Sequence, residues 1–469
     1  MRNVIDSDED SDRNIFLNYT QNEELESLGR RLYPSGEYIE ENKDHIDSLT
    51  KTRKLVEKRS TIYNAQFQIG NLSTSIEILH PSTGNFWEVV LIKNSSHKKP
   101  DAINDLAFQK YVAELCGLNI TECTLYTVNS KFIYNDKIES NEILTEHNVT
   151  NEIINIKPEI SSRIAYLQSI ISTESRPSPT KDHSCSLLKE CRSRNHCYKE
   201  FNKGNIHQLR ESSELAKKLL HSGINKIEDI TNTIELTSQQ KIQIEAHKSK
   251  QPQVKISNIE AFLRKIRYPI HFLDFETINP TIPIYPNTSP FEHIPFLYSL
   301  HILYENGDLS HMTYIEKSDS DPRIIILKNL KDQIESNGTI LCYNDMIERG
   351  CLRSSVKIFS DYQEWFTGIN TRFEDISKPF KNLDYYHPLQ KGSASLKSIV
   401  KPLISFDYSK LKIQGGANAN LEYLKLKLGK IEAERKDNLL IDLVEYCTMD
   451  TLVLVKIFQR LKELINKNL

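Results

Sequence analysis

The sequence lacks any run of about 18 apolar residues, so no membrane-spanning helix is expected. It also lacks a basic surplus: 60 Lys and Arg stand against 63 Asp and Glu, giving a net charge of −3 and an isoelectric point near 6.6. That balance does not advertise nucleic-acid binding, although a catalytic groove needs only a local basic lining. A disulfide framework is not expected, because the eight cysteines are scattered along 469 residues. The opening stretch, with its acidic DSDEDSD, is unlike a signal or transit peptide, so the cytoplasm is the expected location. What is present is the composition of an ordinary soluble protein, 38% hydrophobic and 26% charged, in a chain long enough for two or three domains.

The chemistry gathers in the C-terminal half. Residues 269–275 read as a buried strand that carries Asp274-Phe275-Glu276. Strand side chains alternate, so Asp274 and Glu276 share a face. Two carboxylates on an apolar strand repel each other and resist desolvation, a conflict that a divalent cation relieves. Residues 338–343 read as a second buried strand, running into Asn344, Asp345 and, on a following helix, Glu348. In the last predicted helix Tyr446, Asp450, Leu454, Ile457, Leu461 and Leu464 form one stripe. An acid on an apolar stripe needs a partner or a metal, and Tyr446 lies one turn from Asp450 on the same face.

Asp-x-Glu on a first strand, Asn-x-x-apolar-acid after a later strand and Tyr-x-x-x-Asp on a final helix resemble the three motifs of the DEDD exonuclease superfamily, tyrosine type. YCTMDT is similar to the third motif of replicative DNA polymerases. FLDFETINPTIPIY, HIPFLYSLHIL and YYHPLQKGSASLK resemble, more closely, a family of uncharacterised bacterial proteins. That family joins a RecB-like PD-(D/E)XK nuclease domain to a DEDD exonuclease domain. The likeness covers roughly residues 20–469 and is strongest in the second half.

The resemblance implies an α/β protein with a C-terminal RNase H-like exonuclease domain and an N-terminal, degenerate restriction-endonuclease-like domain. It further implies two Mg2+ or Mn2+ ions, about 3.5–4 Å apart, held by Asp274, Glu276, Glu348 and Asp450. Asp274 would bridge both ions, Glu276 and Asp450 would bind the one that activates water, Glu348 would support the other, and Tyr446 would orient the water. The expected reaction removes nucleoside monophosphates from a 3′ end of DNA or RNA. A nucleic-acid-binding or assembly subunit with relic sites is the alternative. Most DEDD enzymes have aspartate where Glu348 stands; Asp345, three residues early, is the competing residue.

In the RecB-like half the resemblance implies Glu77 as first acid, Lys93 as lysine and Gln109 as helix glutamine. Leu91 stands where the second acid belongs, so this site is expected to be inactive unless Glu88 moves in. An iron–sulfur nuclease run by this domain is a third reading, which Leu91 argues against. Cys185, Cys191 and Cys197 match the family's three late cluster cysteines. No cysteine precedes Cys116, so the early ligand is missing, as if the chain began inside the family's pattern. His183 or His196 could complete a zinc site instead.

The expected organisation is an unstructured acidic tail at 1–20, the RecB-like domain at 21–182, the cysteine motif at 183–200, a helical connector at 201–258 and the exonuclease domain at 259–469. Strands are expected at 75–79 and 87–93, a helix at 105–115, and a hairpin of 296–304 with 309–315 around Asn306-Gly307. Asp375 is expected to brace a helix start, and Asp384 and Asp407 to lie at the surface. GGANAN at 415–420 lacks a Walker lysine and is expected to be a flexible turn. In GSASLK, Ser393 and Ser395 can cap a helix, and Lys397 either contacts a phosphate or sits in solvent.

Overall fold

The computed structural model describes residues 9–40, 45–172, 206–211, 213–231 and 234–466, in a mixed α/β architecture. The chain divides into two compact units. One comprises Ile15–Arg176 with Asn279–Glu292, and the other Met1–Asn14, Pro177–Ile278 and His293–Leu469. No helix among the described residues is long and apolar enough to cross a membrane.

Helix α1 (Glu9–Leu32) already starts inside the stretch expected to be unstructured, and from Ile15 onward it belongs to the first unit. Then come β1 (Glu37–Tyr38), α2 (His45–Glu57), β2 (Ile62–Ile69), β3 (Leu72–Pro81), β4 (Phe86–Lys93), α3 (Pro100–Leu115), β5 (Asn119–Val128), α4 (Ser140–Ile143), β6 (Leu144–Asn148) and α5 (Thr150–Ile171). The six strands lie in sequence order in one sheet. Strands β2, β3 and β4 run antiparallel, whereas β5 lies parallel to β4. A parallel neighbour needs a crossover, which α3 supplies. Its Leu106 and Val112 pack with Ile76, Val89, Leu91 and Leu125 in one core.

The second unit contains α6 (Ser213–His221), α7 (Ser238–Ser249), β7 (Gln253–Val254), α8 (Ile256–Leu263), β8 (Ile270–Ile278), β9 (Ile294–Leu303), β10 (Leu309–Ile315), α9 (Pro322–Gln333), β11 (Thr339–Cys342), α10 (Met346–Ile358), α11 (Gln363–Asn370), β12 (Phe373–Asp375), α12 (Lys378–Lys381), β13 (Tyr385–Tyr386), α13 (Leu396–Ile404), α14 (Gly416–Lys427) and α15 (Ala433–Asn466). Its main sheet has the order β10-β9-β8-β11-β12. Strand β9 is antiparallel to β8 and β10, while β8, β11 and β12 are mutually parallel. Every residue of β9 is buried, so both its faces are covered, whereas β10 alternates as a half-wet edge strand should. The β9–β10 turn closes through the Gly307 N–H to Tyr304 O, with Gly307 at φ +94.

The described residues between 206 and 258, expected to be a connector, are built into this second unit. Buried Gln243 donates to Gln208 O and to Tyr386 Oη, and β7 pairs with β13. Thr237 and Gln240 form a reciprocal cap at the start of α7.

Candidate metal centre

Strand β8 supplies Asp274 and Glu276, the first turn of α10 supplies Glu348, and α15 supplies Tyr446, Cys447 and Asp450. Helix α15 is fastened to the sheet by small polar contacts: Thr451 Oγ1 lies 2.6 Å from Ser299 Oγ and 2.8 Å from His301 Nδ1. One turn before Thr451, Cys447 donates to Asp274 Oδ2 at 3.6 Å. Ligand atoms of Asp274, Glu276 and Cys447 lie within 4.8 Å of one another.

The four carboxylates form one electrostatic cluster. Burial, then the charges of Asp450, Glu276 and Glu348, raise the Asp274 pKa well above its ordinary value. Burial raises Glu276 likewise, with help from Asp450 and Glu348 and against the nearby Lys397. Burial pushes Glu348 up to about 8, although backbone N–H groups, Phe275's among them, oppose the shift. Asp450 rises least, to about 6, because hydroxyls of Tyr408 and Tyr446 donate to it. Glu348 is 4% exposed, and its Oε2 is buried with no hydrogen-bond partner.

That orphaned oxygen, inside a cluster of mutually repelling acids, is the chemistry of a cation site. The donor set is almost wholly carboxylate oxygen, which suits a hard ion such as Mg2+ or Mn2+. The residues present therefore fit the implied metal, with Asp274, Glu276, Glu348 and Asp450 as the groups to hold it. Asp345 turns to Arg349 instead, at 3.0 Å.

Three neighbours escaped the sequence reading in whole or part. Tyr408, from the loop after α13, is buried and gives its hydroxyl to Asp450 Oδ1, its ring 6.1 Å from that of Tyr446. No spacing ties residue 408 to a motif, so only the fold reveals it. Cys447 was legible, lying three residues before Asp450 on one helix face. The third is GGANAN: it is no flexible turn but the start of helix α14. A Cβ on Gly416 would stand 3.7 Å from Glu276 Oε2, and one on Gly415 2.6 Å from Lys397 Nζ. The start of α14 therefore lies against Glu276, and Lys397, although exposed, faces the acids too.

Of the remaining residues, Ser395 caps α13 and accepts from Ser398 N, while Ser393 accepts from Ser395 N. Asp375 accepts from the backbone N–H groups of Asn344 and Ser377 and pairs with Lys381 at 3.2 Å. Asp407 is exposed. Asp384, expected at the surface, is buried: it accepts from Asn258 Nδ2 at 2.7 Å, which fixes α8 beside β13.

In the first unit Glu77 accepts from the Ile92 N–H at 2.6 Å, Lys93 pairs with Asp105 at 2.9 Å and Gln109 donates to Ser75 O at 3.1 Å. Leu91 is buried in the same wall as Glu77, Lys93 and Gln109. Glu88 does not replace it. An odd number of residues away on β4, it points to the other sheet face and accepts from Tyr33 and Thr124. Cys185, Cys191, Cys197, His183 and His196 lie outside the described residues.

Residues 271–395 match the family described as "Domain of unknown function (DUF2779)". Those residues include Asp274, Glu276 and Glu348, and end before Tyr446 and Asp450. The chain is similar to "Uncharacterized protein MG366" of Mycoplasma genitalium, 24% identical over 216 residues, which is 42% of this chain and 32% of that protein. The match therefore spans about a third of the relative's length.

Proposed function

We propose that this protein is a divalent-metal-dependent 3′–5′ exonuclease acting on DNA or RNA. The observation that carries the proposal is the buried convergence of Asp274, Glu276, Glu348 and Asp450, with Tyr446 donating to Asp450. The sheet order β10-β9-β8-β11-β12, with β9 reversed, supports an RNase H-like domain, since Asp274 then sits on the central first strand. Strands β3 and β4, helix α3 and parallel β5 likewise support a RecB-like PD-(D/E)XK ancestry for the first unit.

Divalent ions bound by the four acids would offset the charge that develops on a phosphodiester under attack. The chain's own groups would do the rest. Tyr446 and Tyr408 hold the Asp450 carboxylate in place, and the Tyr446 hydroxyl is available to orient a water for in-line attack. A P–O bond to that water forms as the P–O3′ bond breaks, releasing a nucleoside monophosphate. Lys397 and the N-terminus of α14 place positive potential beside Glu276, where a phosphate group would lie.

The test is digestion of 3′- and 5′-labelled single-stranded DNA and RNA with Mg2+, Mn2+ or chelator, comparing wild type with Asp274→Ala and Asp450→Ala. Metal-dependent trimming from the 3′ end, absent in both variants, is expected. A folded, metal-supplied protein that cuts neither polymer would point to a relic binding or assembly subunit instead.

A further inference from the structure

The second unit carries a stretch of exposed, unneutralised positive charge. Residues 385–421 contain five lysines and a single acid, Asp407, in a chain whose acids outnumber its bases by 63 to 60. Lys401 reaches Asp407 at 4.0 Å. Lys391, Lys397, Lys410 and Lys412 are exposed, and none of them forms an ion pair with a described residue. The stretch borders the metal centre. Tyr408, two residues before Lys410, donates to Asp450, and a Cβ on Gly416 would stand 3.7 Å from Glu276 Oε2. The charge of Lys397 acts on both Glu276 and Asp450. Near Lys391 the backbone is braced from several sides. Gly392 lies at φ +79, where a Cβ would stand 1.9 Å from Gln208 O. Its carbonyl accepts from Arg210 at 3.4 Å, and its N–H donates to Tyr386 Oη at 3.2 Å. Tyr343, directly after β11, donates to Ala394 O. A backbone fixed in this way presents its lysines at set positions and loses little freedom when a ligand binds.

We propose that Lys391, Lys397, Lys410 and Lys412 form a track along which one nucleic-acid strand reaches the metal centre, each lysine set against a backbone phosphate. The track rests on the exonuclease reading and specifies its substrate as a single-stranded end. Glu276, Glu348 and Asp450 are only 5%, 4% and 6% exposed, so a strand end can enter among them where a paired end cannot. A run of one-sign charge beside the acids suits a polymer that carries a negative charge at every residue. Lysine is a point charge without the planar fork that matches base edges, so the surface holds phosphate and does not read sequence. The local charge also answers the near-neutral balance of the whole chain: the basic lining is confined to the segment that needs it.

The experiment uses the full chain carrying Asp274→Asn and Asp450→Asn, so that bound strands stay intact. Fluorescein-labelled oligothymidine and oligouridine are followed by anisotropy between about 50 and 200 mM salt. Each lysine that neutralises a phosphate of a single strand adds about 0.7 to the slope of log K against log salt. Lys391→Ala with Lys412→Ala, and Lys410→Ala with Lys412→Ala, should each lower that slope by about 1.4 and weaken binding roughly ten-fold or more. Lys328→Ala with Lys357→Ala, on α9 and α10, should change neither. A duplex of oligothymidine with oligodeoxyadenosine should bind more weakly, and polyglutamate should not compete. Binding that ignores both lysine pairs, equal affinity for the duplex, equal competition by polyglutamate, or no binding of either strand would overturn the track. Wild-type protein that binds through these lysines but trims neither polymer would refute the exonuclease reading and leave the track standing. Trimming by a protein whose binding ignores the lysines would do the reverse. Melting curves of the lysine variants separate lost contacts from lost fold.

Discussion

Replacing Glu348 with glutamine should stabilise the metal-free protein, by an amount that depends on pH. In the fold this carboxyl titrates at about 8 instead of its ordinary 4.5. Between those values the folded state keeps a proton that the unfolded chain has released, so stability falls as pH rises through the window. At 1.36 kcal/mol per pH unit from 4.5 upward, the loss reaches about 3 kcal/mol at pH 7. Glutamine keeps the shape and the acceptor for the Phe275 N–H but has no charge to desolvate. At about 2–4 °C per kcal/mol for a domain this large, the variant should melt roughly 5–10 °C above wild type at pH 7. At pH 5 the two should nearly coincide. Added Mn2+ should reverse the order, because the ion needs the ionised carboxylate that glutamine cannot offer. The assay is thermal unfolding in EDTA and in Mn2+ at both pH values. Equal melting at pH 7 in EDTA, or a difference that ignores pH, would refute the electrostatic account of the site.

Further outcomes are expected from the same geometry. Tyr408→Phe removes a hydroxyl from Asp450 and should lower kcat or metal affinity roughly 10–100-fold with an unchanged melting temperature, as metal titrations of activity would reveal. An unaltered kcat and metal dependence would reduce Tyr408 to packing. Gly338→Ala should cost on the order of 3 kcal/mol or more, since the residue sits at φ +83 and its Cβ would stand 1.9 Å from Pro269 O. A melting curve like that of wild type would contradict this. Asp384→Ala removes the acceptor of the exposed Asn258 amide, which water can replace, and should cost roughly 0.5–1.5 kcal/mol by denaturant melts.

The parts of this architecture that the sequence displayed are those governed by period. Asp274 and Glu276 could be assigned to one face because strands alternate, and Asp450 could be placed on a buried stripe because helices repeat every 3.6 residues. Interactions between distant segments left no such trace. Tyr408 reaches Asp450 from a loop, and Asp384 is buried because Asn258 happens to meet it. GGANAN misled for a different reason. Glycine and asparagine are poor helix formers, and here propensity gave way to tertiary packing, with buried Asn418, Ala419 and Leu421 holding the first turns of α14. Strands β7 and β13, two residues each, are too short for any period to register.

The assignment of Asn279–Glu292 to the first unit means that neither unit is one uninterrupted stretch of sequence. The strand that carries Asp274 and Glu276 ends at Ile278, and the next residues join the core around Leu25, Val90 and Tyr126, where Ile282 and Phe291 pack. A gene cut between codons 258 and 259 would therefore produce two fragments, each wrongly composed. The N-terminal piece would lack part of its own core, and the C-terminal piece would carry that part as an orphan. Synthesis of the first unit can be complete only after the strand that carries Asp274 and Glu276 has been made.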